Sequence, residues 1–189
     1  MSDLLPVFLK LEGRRVLLVG GGRLAKSKLP ALLAAGAVVR VVAPEVDPEI
    51  AGAAVTLEHR GFVPADLDGA WLAIAAATPE VNRAVSRAAE ERRVFVNAVD
   101  DVASATAYLG GVVRKGGVVV AVSTEGRAPA LAGLLREALE SALPDDATEW
   151  VKAAASLRAR QKASGVPFEK RRPALLDELN RLYAEAARP

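Results

Sequence analysis

The sequence predicts an α/β fold: an open parallel β-sheet with helices, followed by a β-hairpin and a helical C-terminal segment. Two observations support this prediction. Through about residue 100, short apolar strands alternate with helical stretches at the spacing of βαβ units. After residue 101 the pattern changes to two β-rich stretches around a Lys-Gly-Gly turn, and amphipathic helical stretches follow to the C-terminus.

The first βαβ unit fills residues 15–44, with strands predicted over 16–19 and 38–43 and a helix between them. Further strands are predicted at 55–58, 71–76 and 94–97. A helix is predicted from Pro79 to about Glu91, with Thr78 as its N-cap. Residues 71–76 are apolar throughout, which is typical of a strand buried on both faces. Ligands of such sheets bind beyond the carboxyl ends of the strands, here at 20–22, 43–45, 76–78 and 97–101.

The C-terminal half predicts a hairpin with strands at 107–114 and 118–123 around the turn Lys115-Gly116-Gly117. Helices are predicted at 129–143, 148–164 and 173–186, the last two separated by residues 165–167. We therefore expect three segments: a nucleotide-binding domain over 1–112, a hairpin and helix over 113–147, and a basic helical domain over 148–189.

The amino-acid composition excludes several kinds of catalytic and metal site. Of the 189 residues, 51% are hydrophobic and 4% aromatic, and the chain has no cysteine and one histidine. Disulfides, thiolate catalysis and a nitrogen/sulfur metal site are thereby excluded. No stretch has the length of a membrane span, and the N-terminus lacks the pattern of a signal peptide, so we expect a cytoplasmic protein without a membrane partner.

Charge is unevenly distributed along the chain. Residues 1–150 hold 16 Lys or Arg against 19 Asp or Glu, whereas residues 151–189 hold nine against four. The basic tail is typical of a solvated helix surface, and it would also suit a polyanionic partner. The scarcity of aromatic residues disfavours nucleic acid as that partner.

The glycine turn Gly20-Gly21-Gly22-Arg23-Leu24-Ala25 follows the first strand and opens a helix, the pattern of a Rossmann-like dinucleotide site. Gly20 permits the tight turn, Gly22 lets the backbone approach a pyrophosphate, and Ala25 allows close packing of helix and strand. The amides around Arg23 and Leu24 point toward the phosphates. Glu45, one residue beyond Pro44 after the second strand, either reaches the ribose or is a solvated loop residue. No arginine follows directly, which favours NAD over NADP.

Two acids, Asp100 and Asp101, follow a buried strand directly. At this position a carboxylate faces the ligand crevice and can act as a general acid or base, or it can cap a turn. Both interpretations remain open. His59 follows a short strand, and we expect it to be a surface residue.

The chain resembles the precorrin-2 dehydrogenase module of the sirohaem synthase family. The resemblance rests on Leu5-Pro6-Val7-Phe8, the glycine turn, and the stretches 71–76, 96–100, 120–123 and 134–136. It implies NAD-dependent oxidation of precorrin-2 to sirohydrochlorin, in a homodimer whose middle segments interlock. Some members also insert ferrous iron into sirohydrochlorin. The resemblance assigns Asp100 the role of general base, and we expect the cofactor to contact the strand ends at Gly20, Gly22, Arg23, Leu24, Pro44, Glu45 and Thr78.

Precorrin-2 carries eight carboxylates, so the resemblance requires basic residues at its site. The candidates are Arg114, Lys115 and Arg127, with Arg158 and Arg160 in the tail. Residues 126–129 lack the serine of bifunctional members, so control by its phosphorylation is not expected. With 189 residues and no methyltransferase module, we expect a stand-alone enzyme. The alternatives are a non-catalytic NAD(H)-sensing module and a chelatase without oxidase activity, which the intact glycine turn disfavours.

Overall fold

This computed structural model describes residues 4–186, with side chains up to residue 181. The chain divides into two compact units, residues 1–109 and 110–189. Among the helices of the described residues, none has both the length and the apolar character that crossing a membrane requires.

Unit 1 contains a five-stranded, fully parallel sheet in the order β3-β2-β1-β4-β5. Its strands are β1 (Arg15–Val19), β2 (Val38–Val42), β3 (Thr56–Glu58), β4 (Leu72–Ala75) and β5 (Phe95–Ala98). Its helices are α1 (Arg23–Ala34), α2 (Pro48–Ala51) and α3 (Pro79–Arg92), with 3₁₀ turns at Pro64–Leu67 and Val102–Ser104. The order reverses between β1 and β4, which is the switch point where such sheets bind ligands.

Each face of the sheet has its own apolar core. Alternate β1 side chains point to opposite faces, so that Val16 and Leu18 join the α1-side cluster with Leu29. Leu17 and Val19 join the α3-side cluster. All four residues of β4 are buried, which confirms the prediction from its continuous apolar run.

Unit 2 begins with an antiparallel hairpin of β6 (Gly111–Lys115) and β7 (Val118–Val122), followed by α4 (Pro129–Ala142), α5 (Ala147–Ala163) and α6 (Phe168–Ala186). The sequence predicts that the first hairpin strand begins at residue 107, but β6 begins only at Gly111. The amides of Thr106 and Ala107 instead donate to the Val96 carbonyl at the edge of β5, which draws this stretch into unit 1.

Helix α6 begins at Phe168, five residues before the predicted start at Pro173. The prediction placed the proline at the first helical position, where its missing N–H costs nothing. In the structure Pro173 lies inside the helix near its N-terminal end. The helix therefore forgoes one backbone hydrogen bond in its second turn, and the prediction of its start was wrong.

Candidate cofactor site

Gly20 lies at the switch point, directly after β1. Its φ is +117°, and a Cβ there would approach the Ala76 carbonyl oxygen to 2.3 Å. Its amide donates to the Val42 carbonyl at 3.0 Å, so the turn is fixed between the ends of β2 and β4. Only glycine satisfies both the positive φ and the close approach, and the predicted tight turn is confirmed.

Gly21 has a packing role that sequence reasoning left unassigned. A Cβ at this position would lie 2.0 Å from the Glu45 carbonyl oxygen. The Gly21 carbonyl accepts a hydrogen bond from the Asp47 amide at 2.8 Å. The glycine turn and the loop after β2 are therefore in backbone contact. The signal for this role was the run of three glycines. The roles assigned above need glycine only at the first and third positions of the turn, so a glycine between them indicates a separate packing constraint.

Gly22 is exposed and forms the N-cap of α1 with an extended backbone, φ −91°. A Cβ added here meets nothing within 4 Å. Helix α1 has no side-chain cap and no acid in its first turn, so its leading amides at Arg23 and Leu24 can meet an anion. Ala25 is fully buried against the α1-side core, as close helix packing requires.

Lys26 connects α1 to the loop after β2. Its Nζ lies 2.9 Å from Glu49 and 3.2 Å from Asp47. Hydrogen bonds to Glu49 and then Asp47 raise the Lys26 pKa, and the Glu49 amide is the main cause of the lowered Asp47 pKa. This ion pair and the contact at Gly21 hold the loop that carries Pro44 and Glu45.

Pro44 and Glu45 are both exposed at the carboxyl end of β2. Among the side chains of residues 4–181, none forms a hydrogen bond or ion pair with the Glu45 carboxylate. The geometry therefore allows both roles that the sequence left open, a ribose contact and a solvated loop residue.

Asn82, which sequence reasoning missed, connects the loops that follow β4 and β5. It is buried, its Oδ1 accepts from the Ala77 amide at 3.0 Å, and its Nδ2 lies 3.5 Å from the Val99 carbonyl. Thr78 is the N-cap residue of α3, as predicted, although its side chain makes no cap bond to a helix amide. The Glu80 amide, and then the Thr78 hydroxyl, lower the Glu80 pKa instead.

Asp100 and Asp101 differ in conformation and in partners. Asp101 accepts a hydrogen bond from the Ser104 amide at 3.2 Å and caps the 3₁₀ turn at Val102–Ser104. Asp100 is exposed, has a φ of +60°, and its carboxylate has no partner within the described part of the chain. A left-handed non-glycine residue is uncommon, and such residues cluster at functional sites. The capping interpretation therefore applies to Asp101, and the Asp100 carboxylate remains available to a ligand.

The basic candidates in unit 2 have different surroundings. Arg114 is exposed, and its guanidinium has no partner among the side chains described, those of residues 4–181. The Lys115 Nζ donates to the Leu143 carbonyl and to Asp145, both at 2.7 Å, so it already holds the turn after α4. Arg127 pairs with Glu125.

In the tail of unit 2, Arg160 bonds Ser156 at 2.9 Å and lies 3.9 Å from Glu178. Arg158 is exposed. His59, in unit 1, is exposed as expected.

An ion cluster around the buried carboxylate of Asp66 lies beside β3, and sequence reasoning missed it because the spacing of Arg40, Arg60 and Asp66 does not indicate that they meet. Asp66 is 5% exposed and accepts two hydrogen bonds from Arg60, at 2.6 and 2.9 Å, and one from the Val63 amide at 2.9 Å. Arg40 lies 3.2 Å from Asp66 and 3.1 Å from Glu58. Arg60 is the main cause of the lowered Asp66 pKa.

A metal centre is a separate question. Among the described residues, no group of three or more His, Cys, Asp or Glu side chains is placed to hold a metal ion. The macrocycle that the resemblance implies would supply its own nitrogen ligands.

A doubly wound parallel sheet with a glycine turn at its switch point defines a dinucleotide-binding domain. The family model described as "Putative NAD(P)-binding" matches residues 7–111. The chain belongs to this NAD(P)-binding family, and the cofactor class predicted from the glycine turn is confirmed.

Similar proteins extend the comparison beyond this domain. The chain is 42% identical over 175 residues to siroheme synthase 3 of Aeromonas hydrophila, covering 90% of this chain and 37% of that protein. Over 175 residues it is 43% identical to siroheme synthase 2 of Klebsiella pneumoniae, covering 90% and 38%. The chain thus spans little more than a third of these relatives. The resemblance predicted from the sequence motifs is confirmed.

A solved structure, "SirC, precorrin-2 dehydrogenase", matches with a TM-score of 0.72 at 24% identity, covering 92% of this chain and 88% of that one. At this identity the likeness shows the fold. It confirms the predicted parallel sheet followed by a hairpin and C-terminal helices.

Proposed function

We propose that this protein oxidises precorrin-2 to sirohydrochlorin with NAD as the hydride acceptor. The observation that carries the proposal is Asp100, an exposed carboxylate without a partner in the described chain, at the sheet edge that also holds the glycine turn. The names of the similar proteins, siroheme synthase and precorrin-2 dehydrogenase, support this substrate.

The residues at the carboxyl edge of unit 1 fit a dinucleotide. The open space over Gly22 and the uncapped amides of Arg23 and Leu24 suit a pyrophosphate. Glu45 can accept hydrogen bonds from ribose hydroxyls. NAD, when bound, accepts the hydride. Gly20 and Thr78, at the ends of β1 and β4, complete the proposed contact set.

Asp100 acts as the base in this proposal. Oxidation removes a hydride and a proton from the substrate, and the carboxylate takes the proton. Because Asp100 is exposed, it can release that proton to solvent. Asn82 and the Asp101 cap hold the loop after β5, which carries Asp100.

Arg114, Lys115 and Arg127 are the proposed contacts for the substrate carboxylates. Arg114 is the strongest of the three, because Lys115 and Arg127 already have acidic partners in unit 2. Arginine suits this role because its guanidinium binds a carboxylate through two hydrogen bonds.

A homodimer is also part of the proposal. Along α4, Leu131, Leu134, Leu135 and Leu139 are each between 38% and 64% exposed. Their spacing places them in one stripe of the helix. An exposed apolar stripe of this kind suits burial against a second copy of the chain.

The decisive experiment is anaerobic turnover of enzymatically prepared precorrin-2 with NAD, following NADH and sirohydrochlorin absorbance together. We expect both to appear at equal rates, and we expect Asp100→Asn to slow both by about 10²- to 10⁴-fold while NADH still binds. Firm NADH binding without product would refute the proposal and favour the NAD(H)-sensing module. Adding ferrous iron to the same reaction tests the chelation that the resemblance implies. A cytoplasmic location stays a prediction.

A further inference from the structure

The segments that follow β2 and β3 lie side by side at the carboxyl edge of unit 1. The Ala43 amide donates to the Glu58 carbonyl at 3.1 Å, and Val42 pairs with Glu58 in the sheet. Residues 43–47 carry the proposed ribose contact Glu45. Arg60 is the single Lys or Arg in residues 43–47 and 59–63.

Arg60 is held away from this edge. Its guanidinium makes two hydrogen bonds to Asp66, in the 3₁₀ turn Pro64–Leu67, whose Leu67 packs in the α3-side core. The Asp66 side chain is only 2% exposed, and the Val63 amide and Arg40 fix it further. A bidentate arginine–carboxylate pair with a buried carboxylate is strong and directional.

The charge that remains on residues 43–47, once Arg60 is held by Asp66, is negative. Glu45 is exposed without a partner in the described residues. Lys26 forms ion pairs with both Asp47 and Glu49, so one lysine faces two carboxylates there. NADP differs from NAD by a 2′-phosphate on the adenosine ribose, and proteins bind that group with an arginine. A 2′-phosphate beside Glu45 would therefore meet a carboxylate, and neither residues 43–47 nor residues 59–63 would offer it an available arginine.

We propose that Asp66 sets the preference for NAD over NADP by holding Arg60 away from the ribose. Asp66 is a specificity-determining residue that acts through Arg60 and touches neither cofactor. This inference rests on the cofactor edge of the proposed function, and it does not depend on the identity of the tetrapyrrole.

The test measures NADH and NADPH affinities by nucleotide fluorescence, without tetrapyrrole. Asp66→Asn keeps the side-chain shape and removes the charge, so Arg60 is released. We expect the affinity ratio to shift toward NADPH by about tenfold or more, the worth of one charge-assisted hydrogen bond to phosphate. Asp66→Asn combined with Arg60→Met should lose this gain. Asp68→Asn, which removes an exposed partner of Arg92, is the matched control and should leave the ratio unchanged.

An unchanged ratio in folded Asp66→Asn, or a gain that persists without Arg60, would overturn the proposal. Thermal unfolding checks that each variant is folded. A second pair leaves Asp66 intact: Glu45→Gln, alone and with Arg60→Met. If Arg60 is held away from the ribose, the single and the double variant should bind NADPH with equal affinity. A lower NADPH affinity of the double variant would show that Arg60 already reaches the phosphate, and this would overturn the proposal.

Two broader failures are distinguishable. Wild-type protein that binds neither nucleotide would overturn the cofactor edge together with this inference. Intact NADH binding without precorrin-2 oxidation would remove the proposed function alone.

Discussion

Replacing Gly22 by aspartate should weaken cofactor binding without unfolding the protein. Gly22 has a φ of −91°, which any residue can adopt, and a Cβ there meets nothing within 4 Å. It is the N-cap of α1, where aspartate is favoured over glycine by a few tenths of a kcal/mol. The variant should therefore be as stable as the wild type, or slightly more stable.

The loss of affinity is electrostatic. If the pyrophosphate contacts Gly22, a new carboxylate lies about 4 Å from a phosphate charge, which costs about 1 kcal/mol in water and about 4 kcal/mol near a protein surface. Because Gly22 is exposed, the cost falls between these limits. NADH affinity should therefore fall between about fivefold and about a thousandfold.

The assay is NADH fluorescence titration together with thermal unfolding. Gly22→Asn is the matched control, because asparagine caps the helix equally well and adds no charge. It should retain most of the affinity that Gly22→Asp loses. Gly21→Ala gives the opposite result, a loss of stability, since its Cβ would lie 2.0 Å from a backbone oxygen. Folded Gly22→Asp protein with wild-type affinity would refute the placement of the pyrophosphate.

The remaining predictions concern Asp100 as the base, the basic residues of unit 2, and the stability of the protein at low pH. Asp100→Asn should lower kcat about 10²- to 10⁴-fold at unchanged NADH affinity. Asp101→Asn, which alters only a turn cap, should leave kcat unchanged. Equal losses of kcat in the two variants would contradict the assignment of Asp100 as the base. Lys115→Gln should lower the free energy of unfolding in urea by about 1 kcal/mol, through its lost bonds to the turn after α4, while Arg114→Gln should raise KM and leave stability unchanged. The pKa of Asp66 is lowered in the folded state, so its contribution to stability is present above about pH 4 and is lost as the pH falls below that value. Urea titrations between pH 2 and 6 should show a shallower acid decline for Asp66→Asn than for the wild type, and parallel declines would count against this role.

Local pattern predicted most of the architecture. Strand β4 was found because four consecutive apolar residues require burial on both faces. The roles of Gly20 and Ala25 followed from the turn and the packing that a βαβ unit needs, whatever the rest of the chain does. The prediction of the α6 start failed because the signal at Pro173 is local, and one missing hydrogen bond does not end a helix.

The sequence by itself determined the α/β fold, the glycine turn and the carboxylates at the ends of the strands, because these depend on neighbours along the chain. Only the tertiary structure decided how those carboxylates differ. Asp101 caps a turn while Asp100 is left open, and Asp66 holds Arg60 and contacts Arg40, 26 residues earlier in the chain. Gly21 and Asn82 likewise gained roles only when separate loops met. The physical reason is that a side chain's charge and hydrogen bonds depend on partners brought together by folding, and the spacing of residues in sequence does not specify those partners.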